Sequence, residues 1–288
     1  MEFVKSPLNY IGGKYKTLNQ IIPAFPNDIN TFVDLFGGGF NVGVNVDAEE
    51  FIYNDIIPEL SELLKFFSET KPEEVVEKVE KNIEKYNISK TDKDAFVNLR
   101  ARYNANHYKD LEEKSLDFYT LVLYSFNYQI RFNQSNEYNT PFGKERSSFN
   151  DNIKNNLKKF VKKLNNRNVK FHNCCYDSFD YNELNNRDFV YCDPPYLITT
   201  GSYNDGNRRN KCWDLEDEKR LLETLDGLNE KNIKFALSNV FEANGIKNEL
   251  LIEWAKKYNV KHIENTFNSS NYQRKSKNDI VEVLIINY

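Results

Sequence analysis

The chain has 288 residues, 40% of them hydrophobic and 28% charged, which is enough for one large α/β domain or a core domain with a smaller one inserted. That balance excludes a disordered or fibrous chain. The formal net charge of -4 leaves no overall basic signature, so a nucleic-acid role has to rest on local patches.

Four cysteines without a CxxC spacing (Cys174, Cys175, Cys192, Cys212) and three scattered histidines (His107, His172, His262) suggest neither a disulfide framework nor a zinc site. No apolar run approaches the ~20 residues that span a bilayer, and "MEFVKSPLNY" lacks the apolar core of a signal peptide. The expected location is therefore cytoplasmic, without membrane contact.

In chain order, "PLNYIGGKYK" (7–16) sets Tyr10 and Lys14 around a Gly-Gly turn, which by itself reads as a plain loop with a surface lysine. "FVDLFGGGF" (32–40) is an apolar strand running into three glycines. Glycine there lets the backbone approach a ligand, and a following helix would present its N-terminus. Asp55 closes the next strand-like run, "FIYND", where nucleoside-binding folds place a carboxylate for ribose hydroxyls. "GGGF" does not satisfy the GxGxxG spacing of dinucleotide sites, so a nucleoside without pyrophosphate fits better, S-adenosylmethionine being the obvious candidate.

From 58 to 162 helical signals dominate. Pro58 and Pro72 each stand where they can open a helix, and Thr91 with Asp94 resembles a capping box. The last part, 124–150, is too polar and too rich in Asn, Gly and Pro for regular structure throughout; a long ordered loop of this kind is more often functional than a plain connection. This segment is expected to be a mainly helical insert between a first part, 1–57, and a last part, 163–288. In the last part "VKFHN" (169–173), "DFVYC" (188–192), "KFALSN" (234–239), "VKHIENTF" (260–267) and "VEVLIINY" (281–288) read as strands. "GIKNELLIEWAKKY" (245–258) carries helical spacing between two of them. The fold expected is α/β with a largely parallel sheet.

"DFVYCDPPYLITT" (188–200) ends one of those strands in a rigid corner. Pro194 and Pro195 lack N–H donors and fix φ, holding Asp193 and a carbonyl in place. Two acceptors side by side suit an exocyclic amine with two N–H bonds to donate. Tyr196 adds a face on which a planar base can stack.

With these motifs in this order, the chain resembles the D12-class (Dam-like) DNA adenine-N6 methyltransferases from about Pro7 to Tyr288. The marks are "PLNYIGGK", "FVDLFGGGF", "FIYNDI", "RFNQSNEYNTPFGK", "YCDPPY", "FALSN" and "SSNYQRK". The resemblance implies a Rossmann-like S-adenosylmethionine-dependent fold with a seven-stranded, mostly parallel sheet and an inserted, mainly helical target-recognition domain. It implies that Tyr10, Lys14, Asp34, Phe36 and the Gly37, Gly38, Gly39 turn hold the donor, with Asp55 on its ribose and Asp177 on its adenine, Asp180 being a nearby competitor. Asp193 and the Pro194 carbonyl would grip the target N6, Pro195 would stiffen the corner, and Tyr196 would stack on a base flipped out of the duplex.

Double-stranded DNA is the implied partner. Arg131, Asn133 and Asn139 are set to read base edges, with Asn9 and Lys144 beside them, while "KKFVKKLNNRNVK" (158–170), "RRNK" (208–211, with Arg208) and "RKSK" (274–277, with Arg274) would neutralise phosphates. A monomer on DNA is expected, with no metal and with a restriction endonuclease as a separate partner. "QSNEYN" (134–139) and Asn9 depart from the family's usual residues, so no target sequence carries over. Cytosine-N4 methylation, whose corner usually begins with serine, and a silent DNA-binding protein of the same fold are the competing readings.

Overall fold

The computed structural model describes residues 2–10, 12–199, 213–264 and 280–288. After a short helix α1 (Leu18–Ile21) the chain enters strand β1 (Thr31–Asp34), loops back and forms β2 (Glu50–Asn54). Five helices follow: α2 (Pro58–Glu69), α3 (Pro72–Lys85), α4 (Lys93–Ala105), α5 (Leu111–Tyr124) and α6 (Asp151–Asn165). Then come β3 (Val169–His172), β4 (Phe189–Cys192), α7 (Leu215–Glu230), β5 (Lys234–Ala243), the two-residue β6 (Ile246–Lys247), α8 (Glu249–Ala255), β7 (Asn259–Ile263) and β8 (Ile280–Ile286).

The strands lie in the order β3-β2-β1-β4-β5-β8-β7, with β6 paired to β5 alone. The first five are parallel, and β8 runs antiparallel to both neighbours. All seven expected strands are present. Every residue of the central strands β1 and β4 is buried, as a parallel strand covered on both faces requires.

Alternation along those strands divides the core. Phe32, Phe189 and Tyr191 point to the face packed by α1, α2, α3, α5 and α6; Val33, Val190 and Cys192 point to the face covered by α7 and α8. The helices between β2 and β3 share one continuous apolar cluster with the sheet, from Phe32 and Phe51 through Phe67 to Phe96 and Tyr138. α6 runs on to Asn165, so the expected boundary at 162 falls inside a helix.

Two local expectations differ. No α-helix follows the glycines of β1; the connection holds only a 3-10 turn, Gly43–Asn45. Gly38 and Phe40 adopt left-handed φ of 48° and 59°, and the β-branched Val42, Val44 and Val46 are all buried, a spacing that disfavours helix. The cap of α4 is Asp92, which accepts from the Ala95 N–H at 3.0 Å, rather than Thr91. Pro58 and Pro72 open α2 and α3 as expected.

Candidate active site

In an open parallel sheet, ligands bind outside the carboxyl ends of strands where the chain order reverses. Here β2 lies on one side of β1 and β4 on the other, and Asp34 and Asp193 come from the ends of those two central strands. Beside them is a cleft lined by Tyr10, Asp34, Phe36, Gly37, Gly38, Gly39, Asp55, Tyr176, Tyr191, Asp193 and Pro195, among others. The structure thus gathers most of the expected donor residues on one surface.

The glycine turn is shaped by two tyrosines. A Cβ on Gly37 would meet the Tyr53 ring at 2.3 Å, and one on Gly38 would meet the Tyr10 ring at 2.9 Å. The Tyr53 hydroxyl donates to the Gly38 carbonyl at 2.9 Å, and the Gly38 N–H donates to Asp55 Oδ2 at 2.8 Å. The other Asp55 oxygen accepts from the Ile57 N–H at 2.9 Å, so this acid braces the turn as well as facing the cleft. Asp34 is 2% exposed. Burial pushes its carboxyl up to about 8 against the pull of the Gly43 N–H, and Asp193 and Asp55 raise it further.

Lys14 is not among the residues lining that cleft. Its ammonium lies 2.7 Å and 2.8 Å from the two oxygens of Asp193 and 3.9 Å from Glu282 Oε1. The Tyr196 hydroxyl donates to Asp193 Oδ1 at 3.1 Å and to Glu282 Oε1 at 3.4 Å. Burial raises the Asp193 carboxyl above its ordinary range; Lys14 opposes that rise and Glu282 adds to it. A desolvated carboxylate holds a nearby cation strongly, which explains why Lys14 sits on the corner rather than in the donor cleft. Pro194 is buried, and Tyr196 is partly exposed in an adjoining groove with Asn9, Tyr10 and Glu282. Asp177 is exposed, next to the lining Tyr176 but not itself lining the cleft; Asp180 is exposed too, capping the Asn182 N–H.

The expected DNA-reading residues divide. Arg131 is partly buried, with its Nε enclosed and unpartnered. Asn133 is engaged locally, accepting from the Ser135 and Glu137 N–H groups and donating to the Glu137 carboxylate. Asn139 and Lys144 are exposed, and Asn9 donates to the Asn127 carbonyl at 2.8 Å. Among the basic residues of 158–170, Lys159 faces Glu2, Lys163 bonds Asn45, Arg167 lies over Phe51, and Lys170 meets Glu50. Arg208, Arg274 and the runs "RRNK" and "RKSK" lie outside the described residues.

Sequence reasoning missed Glu282, whose signal was an acid inside the apolar run of β8. It also missed Phe126, exposed at the start of the polar loop beside Asn127 and Tyr128, both left-handed. Trp213 went unnoticed as well: its ring packs on Phe36 and Tyr176, and its indole N–H donates to the buried Glu218 at 2.8 Å. Among the described residues no three metal-capable side chains are grouped to hold an ion, and no helix is long and apolar enough to cross a membrane.

Comparison with known proteins agrees with this geometry. Residues 10–269 match the family described as D12 class N6 adenine-specific DNA methyltransferase. The chain is 49% identical over 286 residues to the type II methyltransferase M.FokI of Planomicrobium okeanokoites, covering 99% of this chain and 43% of that protein. It is 47% identical to the modification methylase StsI of Streptococcus sanguinis, covering 100% of this chain and 43% of that protein. The chain therefore spans under half the length of these two relatives. A DNA adenine methylase of Escherichia coli K12 is 26% identical, with 81% of this chain and 79% of that protein covered. Family match, strand order and the acid-proline-proline-tyrosine corner agree, and the chain belongs to the D12 class of N6 adenine-specific DNA methyltransferases.

Proposed function

We propose that the chain transfers a methyl group from S-adenosylmethionine to N6 of an adenine flipped out of a short double-stranded DNA sequence, in a restriction-modification or Dam-like role. The observation that carries this reading is the position of Asp193 on a proline-stiffened corner, at the switch point and beside the glycine-walled cleft. The cleft fits the donor: left-handed Gly38 lets the Tyr10 ring close against the turn where a Cβ would clash with it, and Asp34 is a buried acid suited to an amino group. The bound donor supplies an electrophilic methyl group on sulfonium.

The chain's own residues do the rest. Asp34 and the Gly37–Gly39 turn hold the amino-acid part, Asp55 faces the ribose, and Phe36 with Tyr176 borders the adenine. Asp177, exposed beside Tyr176, reaches the adenine amine only when the ligand extends past the wall. Asp193 and the Pro194 carbonyl accept the two N–H bonds of the target amine, drawing its lone pair out of the ring and towards a tetrahedral nitrogen. Tyr196 stacks on the base. Positioning and electrostatics are the main contributions, and Asp193 need not be a strong base, since the methylated amine becomes acidic enough to shed its proton afterwards.

On the DNA side, the segment 58–162 is the recognition element. Arg131, Asn139 and the exposed tip from Gln134 to Glu137 face bases, with Asn9, Lys144 and Phe126 alongside; Asn133 shapes the tip. The chain acts as a monomer, with a cognate endonuclease working separately.

Incubation with unmethylated bacterial DNA and labelled S-adenosylmethionine, followed by nucleoside analysis, tests the reading. N6-methyladenine at one short motif is expected, and none from Asp193→Ala, which removes an acceptor while leaving core packing intact. N4-methylcytosine would overturn the base assignment, and unlabelled DNA would overturn the reaction.

A further inference from the structure

Lys14, Asp193, Tyr196 and Glu282 form one cluster; Lys14, Tyr196 and Glu282 line the adjoining groove, while Asp193 lines the donor cleft. The Lys14 ammonium lies within 2.8 Å of both Asp193 oxygens and stands over the Tyr196 ring, 5.1 Å from its centroid. It therefore occupies the acceptor that a target amine needs and borders the face on which a base would stack. On the methyl-transfer reading, on which this inference rests, that cation competes with the target amine for the Asp193 oxygens.

Where the cation goes is constrained by charge. Asp193 and Glu282 are two carboxylates with side chains only 17% and 12% exposed. Withdrawing the ammonium to solvent would leave both desolvated without it, which is costly. Glu282 Oε1 stands 3.9 Å from Lys14 Nζ, so a shift of roughly 1 Å brings the pair into hydrogen-bond range. The move keeps the cation close to Asp193, and Tyr196, already bonded to both acids, links the two positions.

We propose that Lys14 passes from Asp193 to Glu282 as the target adenine seats, which makes Glu282 a positioning residue for base entry. Asp193 is then released to one N6 hydrogen, the Pro194 carbonyl taking the other, while the local charge stays balanced. Glu282 does not line the donor cleft and acts through Lys14 and Tyr196. Glu282 stands on β8, the strand inserted antiparallel next to β5, whereas Lys14 opens a short 3-10 turn (Lys14–Thr17), its ammonium donating also to the Gly12 carbonyl at 2.9 Å.

A double-mutant cycle separates this role from a structural one. Single-turnover methylation of unmethylated DNA is measured at saturating donor for the wild type, Glu282→Gln, Lys14→Gln and the double variant. Binding of S-adenosylhomocysteine serves as the folding control, because neither residue lines the donor cleft. Glu282→Gln is expected to slow the wild type at least tenfold, Glu282→Asp to recover most of the rate, and Glu282→Gln to change the Lys14→Gln protein less than twofold. An equal slowing in both backgrounds, no slowing in either, or a Glu282→Asp protein as slow as Glu282→Gln would overturn the exchange. A wild-type protein that methylates while the cycle shows no coupling sinks the exchange alone; a wild type that leaves DNA adenine unmodified sinks the methyl-transfer reading and the exchange with it.

Discussion

At the scale of single residues, Asp34 makes a prediction that needs no DNA. Its carboxyl is buried at the end of β1, faces Asp193, Asp55 and the Gly43 N–H, and is pushed up to about 8. At pH 7 it is mostly protonated. If it holds the donor's amino group, binding must ionise it, so about one proton leaves for each ligand bound. The sign follows: donor affinity rises with pH through neutrality and levels off once pH passes the Asp34 value. Titration calorimetry with S-adenosylhomocysteine in buffers of different ionisation enthalpy reads the released protons directly. Asp34→Asn should bring the release close to zero; an unchanged release would move the role to another group. Asp34, Asp193 and Tyr196 were legible in the sequence because each sits in a motif only a few residues long. Glu282 was not, because its contact with Tyr196 joins residues 86 positions apart, and local patterns carry no information about which acid a distant strand delivers.

Among the elements, α4 and the polar loop after α5 behave as a clamp and its load. Asn104 on α4 donates to the Tyr138 carbonyl at 3.0 Å and accepts from the Tyr138 N–H at 2.9 Å. Tyr138 is buried, and its hydroxyl bonds Ser125 and the Gln129 carbonyl. One amide therefore fixes the base of the turn whose tip, Gln134 to Glu137, is exposed. Asn104→Ala removes both bonds, a loss of about 1–3 kcal/mol at roughly 1 kcal/mol each. Because neither Asn104 nor the tip lines the glycine cleft, the expected result is about tenfold weaker DNA binding in a mobility-shift assay, with S-adenosylhomocysteine affinity within twofold of wild type. Equal weakening of both ligands would show that α4 supports the whole fold instead. The insert's helices were readable from Pro58, Pro72 and apolar spacing, and the loop from its polarity. The clamp was hidden: an asparagine within a helix carries no local mark of a partner 34 residues away. The helix expected after the glycines failed for a different reason, since left-handed Gly38 and Phe40 and the valines that follow commit the chain to an irregular, buried path.

For the whole molecule, the sequence suggested three segments, and the strand list anticipated the sheet. What composition could not show is that the insert and the sheet are packed as one body. Phe67, Phe96 and Tyr138 of the insert belong to the same apolar cluster as Phe32 and Phe51 of the sheet, while the opposite face is closed by α7 and α8. The strands are the common wall of both clusters, so losing either should expose the other. This coupling can be followed with two probes. Both tryptophans, Trp213 and Trp254, pack with the α7–α8 face, so their fluorescence reports that side. Far-ultraviolet circular dichroism is weighted towards the helices of the insert. In a urea titration the two signals should change at one midpoint, as a two-state transition requires, and S-adenosylhomocysteine should raise both together if, as proposed, it binds the folded glycine-walled cleft. A helical signal that persists after the fluorescence has changed would mean that the insert folds on its own core, and the shared cluster would then be a contact surface between two domains rather than the interior of one.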